Sequence, residues 1–225
     1  MVKDFNLKEN SSTAWLSWEQ IVNPSRFEFS KMGFRYGIAG FDAAETTDLA
    51  AACVLCMKPG DDRTYKKSMY WLPLTVIDEF AESGNRKERD GVPYTQWQKR
   101  GLLRAYPGNR VEKGVFLEWL TELREEEDLY TFAIGYDPWH VDDTSKRNME
   151  LFVGKDYCIP IRQGAKTMSD PMYSFKGDLT ANRIVNNDHP IDTWCRLNAA
   201  VRIDNNRNLT LDKKNNDKRN RIDGL

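Results

Sequence analysis

No apolar run in this chain of 225 residues approaches the ~20 residues needed to cross a bilayer. Met1-Val-Lys-Asp is not followed by the apolar segment of a signal peptide. The expected compartment is therefore the cytoplasm, with no membrane partner. Cysteine is also sparse. Four cysteines are too few for a disulfide scaffold at this length, and Cys53-Val-Leu-Cys56 has no second pair to complete a zinc site. On a strand the two would face opposite sides, and reduced core thiols are the expectation. Net charge is nearly absent too, at −1, which argues against a protein that coats nucleic acid. Its distribution is uneven, however: from Arg202 to Leu225 seven Lys or Arg stand against four Asp, a local balance of +3. The opposite run, Arg124-Glu-Glu-Glu-Asp128, reads as the solvated tail of a helix. Internal repeats and low-complexity segments are missing.

With 40% hydrophobic residues, the chain is long enough to bury the core of one large α/β domain. Residues 1–33 read as a lead-in or linker with at most a short Trp-bearing helix, and regular structure is expected from Phe34 onward. Strands are expected at 34–41, 48–57 and 67–74, the last two joined by the turn-forming Lys58-Pro-Gly-Asp-Asp62, which makes a three-stranded antiparallel meander. Short helices follow at 76–83 and 91–101, with a brief strand at 102–106. Val115, Phe116, Trp119, Leu120 and Leu123 keep the spacing of a one-faced helix within 111–127. The apolar run 129–136 predicts a central strand covered on both faces. Asp142-Asp-Thr-Ser caps a helix through Leu151, a strand is expected at 157–162, and helices at 168–185 and 191–201. Asp204-Asn-Asn-Arg-Asn208 is a turn before Leu209–Leu211.

Three acids stand out. Asp42 ends the first apolar strand, Asp137 follows the run Tyr130-Thr-Phe-Ala-Ile-Gly-Tyr136, and Asp223 sits in Arg221-Ile-Asp-Gly. A meander, a helix and further strands parallel to the first make a ribonuclease H-like mixed sheet flanked by helices, in which the ends of the first and fourth main strands lie side by side. Asp42 and Asp137 would then face each other. Close carboxylates repel, and hard oxygen-seeking cations relieve the repulsion. Two Mg²⁺ or Mn²⁺ ions about 3.5–4 Å apart can activate a water and stabilise the leaving oxygen of a phosphodiester. A single Asp at a strand end is, on its own, more simply a turn or cap residue.

Several segments, in matching order, resemble the C-terminal nuclease domain of the large terminase subunit of tailed bacteriophages. They are Gly40-Phe-Asp42-Ala-Ala-Glu-Thr-Thr-Asp48-Leu-Ala-Ala, Ile134-Gly-Tyr-Asp137-Pro-Trp, Ile161-Arg-Gln163-Gly, His189-Pro-Ile-Asp-Thr-Trp194-Cys-Arg-Leu-Asn198, and Lys213 through Arg221-Ile-Asp223-Gly. The resemblance implies a two-metal endonuclease that cuts concatemeric double-stranded DNA during packaging, with Asp42 bridging the ions and Asp137 and Asp223 completing their shells. Asp48 is a further candidate ligand, for which hairpin capping is the competing reading. It also implies an ATPase domain, a small terminase subunit and a portal as partners, in the cytoplasm of a bacterial host. No G-x-x-x-x-G-K-[ST] loop occurs, so the motor itself is not here. The chain ends at Leu225, before the helix that the resemblance places after the third acid, which implies a truncated or excised domain over 34–225. The competing readings are another nuclease of the same fold, of resolvase or transposase type, and a non-catalytic DNA-clamping or docking module.

Other polar residues carry weaker expectations. Lys213, Lys214, Lys218 and Arg219 would neutralise DNA phosphates, or belong to a solvated loop. His140 could approach a metal or phosphate but reads more simply as an exposed loop residue, and His189 before Pro190 as a turn or cap. Gln163 and Asn198 are expected as buried amides that order the site. Trp71, Trp97, Trp119 and Trp194 are expected in the core.

Overall fold

The structure, a computed structural model, describes residues 13–44, 49–77, 92–214 and 220–225. The elements that matter run in order β1 (Thr13–Ala14), α1 (Trp18–Ile21), α2 (Phe29–Met32), β2 (Tyr36–Asp42), β3 (Ala50–Met57), β4 (Thr64–Pro73), α3 (Tyr94–Lys99), β5 (Arg104–Tyr106), α4 (Val115–Glu127), β6 (Tyr130–Tyr136), α5 (Asp143–Val153), β7 (Cys158–Pro160), α6 (Ala165–Thr180), β8 (Ile184–Val185), α7 (Pro190–Asn198), β9 (Ala199–Ile203) and β10 (Leu209–Lys213). The main sheet has the order β5-β4-β3-β2-β6-β7, with β8 added beside β4. Strands β2, β3 and β4 form the expected antiparallel meander, and β6 and β7 continue it in parallel on the far side of β2. A second, three-stranded sheet pairs β1 and β10 with β9.

Period-2 alternation divides the residues of each strand between two faces. Ala50, Ala52, Val54 and Cys56 of β3, with Ala39 and Phe41 of β2 and Ile134 and Tyr136 of β6, enter one core together with Phe116, Trp119, Leu120 and Leu123 of α4. The Phe41 ring stacks on Phe116 with centroids 3.9 Å apart, and Trp71 meets Trp119 edge on. Each such fully buried side chain contributes about 1.5–3 kcal/mol. The alternate residues, Leu49 and Ala51 with Tyr70 and Leu72, face a second core containing Ile191 and Cys195 of α7 and Trp97 of α3. Gly40, Asp42, Gly135 and Asp137 share the parity of this second face.

Several expectations change. Regular structure begins before Phe34: β1 pairs with β9, and Trp15, Leu16 and Ile21 are buried against Met172, Leu179 and Val201. The helix expected over 168–185 stops at Thr180, where Asn182 takes a left-handed φ of 55°, and Ile184–Val185 becomes a strand on β4. The helix expected to reach Val201 ends at Asn198, and β-branched Val201 and Ile203 extend into β9 instead. Only the second half of β6 is covered, since Phe132 remains 46% exposed. Residues 78–83 of the helix expected at 76–83 lie outside the described residues. All four cysteines are free. No helix among the described residues is long and apolar enough to cross a membrane.

Candidate functional site

Parallel pairing sets the site. Phe41 is in register with Tyr136, so the next residue on each strand, Asp42 and Asp137, leaves the sheet side by side at its C-terminal edge. Glycine makes room beneath them. Gly40 and Gly135 are paired, and a Cβ at Gly135 would come within 2.8 Å of Ile161 Cδ1. The third acid arrives from the C-terminal turn, which is tied down by the Asn198 amide donating to the Arg221 carbonyl at 3.1 Å and by Leu225 N–H donating to Ile222 O at 3.1 Å. Asp42, Asp137 and Asp223 line one cavity of about 630 Å³, with Lys66, His140 and Lys213 also in its wall.

The electrostatics follow from this crowding. Burial, then the charges of Asp223 and Asp137, push the Asp42 carboxyl up to about 7, against the pull of Lys213. Burial also raises Asp223, opposed first by Lys213 and then by its own N–H and Arg221. One Asp223 oxygen, Oδ2, is buried and accepts no hydrogen bond from the described residues. An unpaired carboxylate oxygen on a residue that shares its cavity with two other carboxylates suits Mg²⁺ or Mn²⁺ in chemistry. As they stand, no three Asp, Glu, His or Cys side chains among the described residues already form a group able to hold an ion. Asp137 instead uses Oδ1 to accept the Trp139 N–H at 3.0 Å.

The remaining expected residues divide. Asp48, Lys218 and Arg219 lie outside the described residues. Lys213 ends β10 at the cavity wall and Lys214 is exposed beside it, while Arg202 of the same basic segment is paired with Asp212 at 3.1 Å. His140 is exposed at the cavity mouth. His189 occupies the N-cap of α7, ahead of Pro190. Asn198 is buried as expected, but Gln163 is exposed at the cavity rim, because the segment after β7 runs over the surface before α6 begins. Trp71, Trp97 and Trp119 are buried and Trp194 packs against Trp97, so all four are core residues. Trp139, by contrast, is 89% exposed next to Asp137.

Residue-by-residue inspection of the sequence missed the polar cluster behind this cavity. Asp192 is fully buried and receives hydrogen bonds from Tyr70 Oη, from Asn186 Nδ2 at 3.0 Å and from Ser68 Oγ at 3.3 Å. Burial opposes its ionisation, yet Lys66, His189 and Arg196 outweigh that and hold it well below the usual carboxylate range. Arg196 is buried too, donating to the Ile21 carbonyl at 3.3 Å. The signal was faint: Asp192 and Arg196 stand i,i+4 on a helix, the spacing of an ordinary surface pair.

Known proteins bear on these features. The chain is 28% identical over 188 residues to the large terminase subunit of Enterobacteria phage HK97, a match covering 83% of this chain and 35% of that protein. The crystal structure of the HK97 bacteriophage large terminase superposes with a TM-score of 0.72 at 23% identity, over 95% of this chain and 42% of that one. The chain therefore spans well under half of these relatives. The large terminase nuclease from thermophilic phage G20c, crystallised with bound magnesium, shares the ribonuclease H-like fold at a TM-score of 0.51 and 10% identity, covering 94% of this chain and 92% of that one. Residues 1–225 match throughout the family described as "Terminase large subunit, endonuclease domain", and the chain belongs to that family of phage terminase nuclease domains.

Proposed function

We propose that this domain is a divalent-metal-dependent endodeoxyribonuclease that cuts concatemeric double-stranded viral DNA during genome packaging. The observation that carries the reading is the convergence on one cavity of Asp42 and Asp137, from adjacent parallel strands, with Asp223 from the C-terminal turn. Asp42, Asp137 and Asp223 would hold two Mg²⁺ or Mn²⁺ ions, with Asp48 as an additional ligand. When bound, such ions supply a nucleophilic water near neutral pH and charge stabilisation at the leaving oxygen.

The chain's own residues do the rest. Asp42 must release its proton to serve as a ligand, and with its carboxyl at about 7 a cation binding near neutral pH would displace that proton. Lys213 offsets part of the carboxylate charge that would repel DNA, and Lys214, Lys218 and Arg219 add positive charge to the same stretch of sequence for the phosphates. His140 is placed to meet a phosphate at the mouth of the cavity. In the whole protein, the proposed partners are an ATPase domain, the small terminase subunit and the portal, in the cytoplasm of the infected bacterium.

The test is supercoiled-plasmid cleavage with Mg²⁺ or Mn²⁺, comparing wild type with Asp42→Asn, Asp137→Asn and Asp223→Asn. Loss of nicking in each folded variant is expected. Undiminished cutting in excess EDTA, or in all three variants, would sink the assignment.

A further inference from the structure

We propose that Lys66 is a positioning residue for Asp223, joining the buried Asp192 cluster to the C-terminal turn; the inference rests on the nuclease reading above. Lys66 lies on β4 with the parity of Ser68 and Tyr70, so it faces the second core rather than solvent, and its side chain is 6% exposed. Among the described residues its ammonium has two partners. It lies 3.3 Å from Asp192 Oδ2 and donates to the Gly224 carbonyl at 2.7 Å.

Asp192 is itself immobilised by Tyr70, Asn186 and Ser68, so the ammonium is pinned at one end and grips the turn at the other. Gly224 fits this grip closely. A Cβ there would overlap the Tyr70 hydroxyl and lie 3.1 Å from Cys195 Sγ. The peptide linking Gly224 to Leu225, immediately after Asp223, is thereby fixed in orientation, and with it the turn from which the Asp223 side chain leaves the chain. A buried ion pair is a poor way to gain stability compared with apolar residues of similar volume. Its presence here is better explained by what it holds. Supporting groups that orient ligands in this way are typically worth about 10–100-fold in metal affinity.

The experiment uses Mn²⁺ binding to the DNA-free domain, read by electron paramagnetic resonance, alongside thermal melting in EDTA. Wild type is compared with Lys66→Met/Asp192→Asn, which removes both charges together, and with Lys66→Gln, which keeps a donor for Gly224 and loses the ammonium. The double variant should melt near wild type yet bind Mn²⁺ about 10-fold or more weakly. Lys66→Gln should stay within about threefold of wild type, because it retains the tie to the turn. Equal Mn²⁺ affinity in wild type and a folded double variant would overturn the positioning role while leaving the nuclease reading intact. Should the double variant not fold, Lys66→Gln decides: a loss well beyond threefold would show that charge, not position, is what Lys66 supplies. A wild-type domain that binds no Mn²⁺ would overturn both readings.

Discussion

Replacing Asp42 with Asn should separate activity from stability, because the property that suits the carboxyl to a cation makes it costly without one. In the metal-free protein burial and the neighbouring carboxylates raise Asp42 from 3.8 to about 7. A carboxyl raised on folding binds a proton more tightly in the folded state. Its contribution to stability is fully present below the unfolded value and is lost as pH rises from about 4 through about 7. Complete loss over that interval corresponds to about 4 kcal/mol, the upper limit for a group shielded from water. The cavity is open, so about 1–2 kcal/mol is a realistic expectation once solvent responds. For a domain of this size that is a rise of about 2–8 °C in melting temperature for Asp42→Asn at pH 8 in EDTA. The gain should shrink at pH 5, where the wild-type carboxyl keeps its proton in the folded state. Mn²⁺ should reverse the order: at ~100-fold above its dissociation constant it stabilises wild type by about 2.7 kcal/mol and the variant by less. Differential scanning fluorimetry at the two pH values, with EDTA and with Mn²⁺, reads all of this. A variant that melts no higher than wild type at pH 8 in EDTA would refute the idea that Asp42 is a strained member of a carboxylate cluster.

Mg²⁺ or Mn²⁺ should support plasmid nicking and Ca²⁺ should occupy the site without turnover, since the larger ion's looser shell does not align the attacking water; equal rates with Ca²⁺ would count against the mechanism. DNA affinity should be weak and sequence-independent, with log K falling against log salt at a slope of about −2 to −4, and Lys213→Ala/Lys214→Ala should flatten that slope by up to about two. An unchanged slope in titrations of two unrelated duplexes would assign the basic segment to solvent alone. Asp192→Ala should destabilise the fold by about 3–5 kcal/mol, because it leaves the Lys66 ammonium buried without its ion-pair partner; a melting temperature close to wild type would refute the cluster's role.

How far the sequence foretold the structure depended on how local each signal was. The meander was legible because the Ala-rich alternation of β3 and the Lys58-Pro-Gly turn are statements about adjacent residues, and the pairing of Asp42 with Asp137 followed once β2 and β6 were recognised as strands. The two strands mistaken for helix, β8 and β9, are decided elsewhere. Ile184–Val185 extends because Thr64 and Tyr65 offer it a sheet edge, and Ala199–Ile203 because both β1 and β10 flank it. Neither partner is near in the chain, so helical periodicity had no local competitor. The start of the fold was missed for the same reason, Thr13 being paired with Val201.

The site was read with the same asymmetry. Asp42 and Asp137 stand at strand ends and Asp223 in a turn, and such places are visible in a sequence; what fixes the direction of the side chains is not. Lys66-Lys67 has the appearance of a solvated strand end, and Asp192 and Arg196 that of an exposed helical ion pair. Strand parity turns Lys66 inward, and the amphipathic face of α7, set by Ile191, Cys195 and Asn198, carries Asp192 and Arg196 in with it. Once inside, none of these charges is tolerable alone. Lys66 needs Asp192, Asp192 needs donors from β4 and from Asn186, and the ammonium also donates to the carbonyl of Gly224, one residue past Asp223. A constellation that exists only because three distant segments satisfy one another has no signature in any one of them. That is why candidate ligands can be read from a sequence before the residues that would aim them.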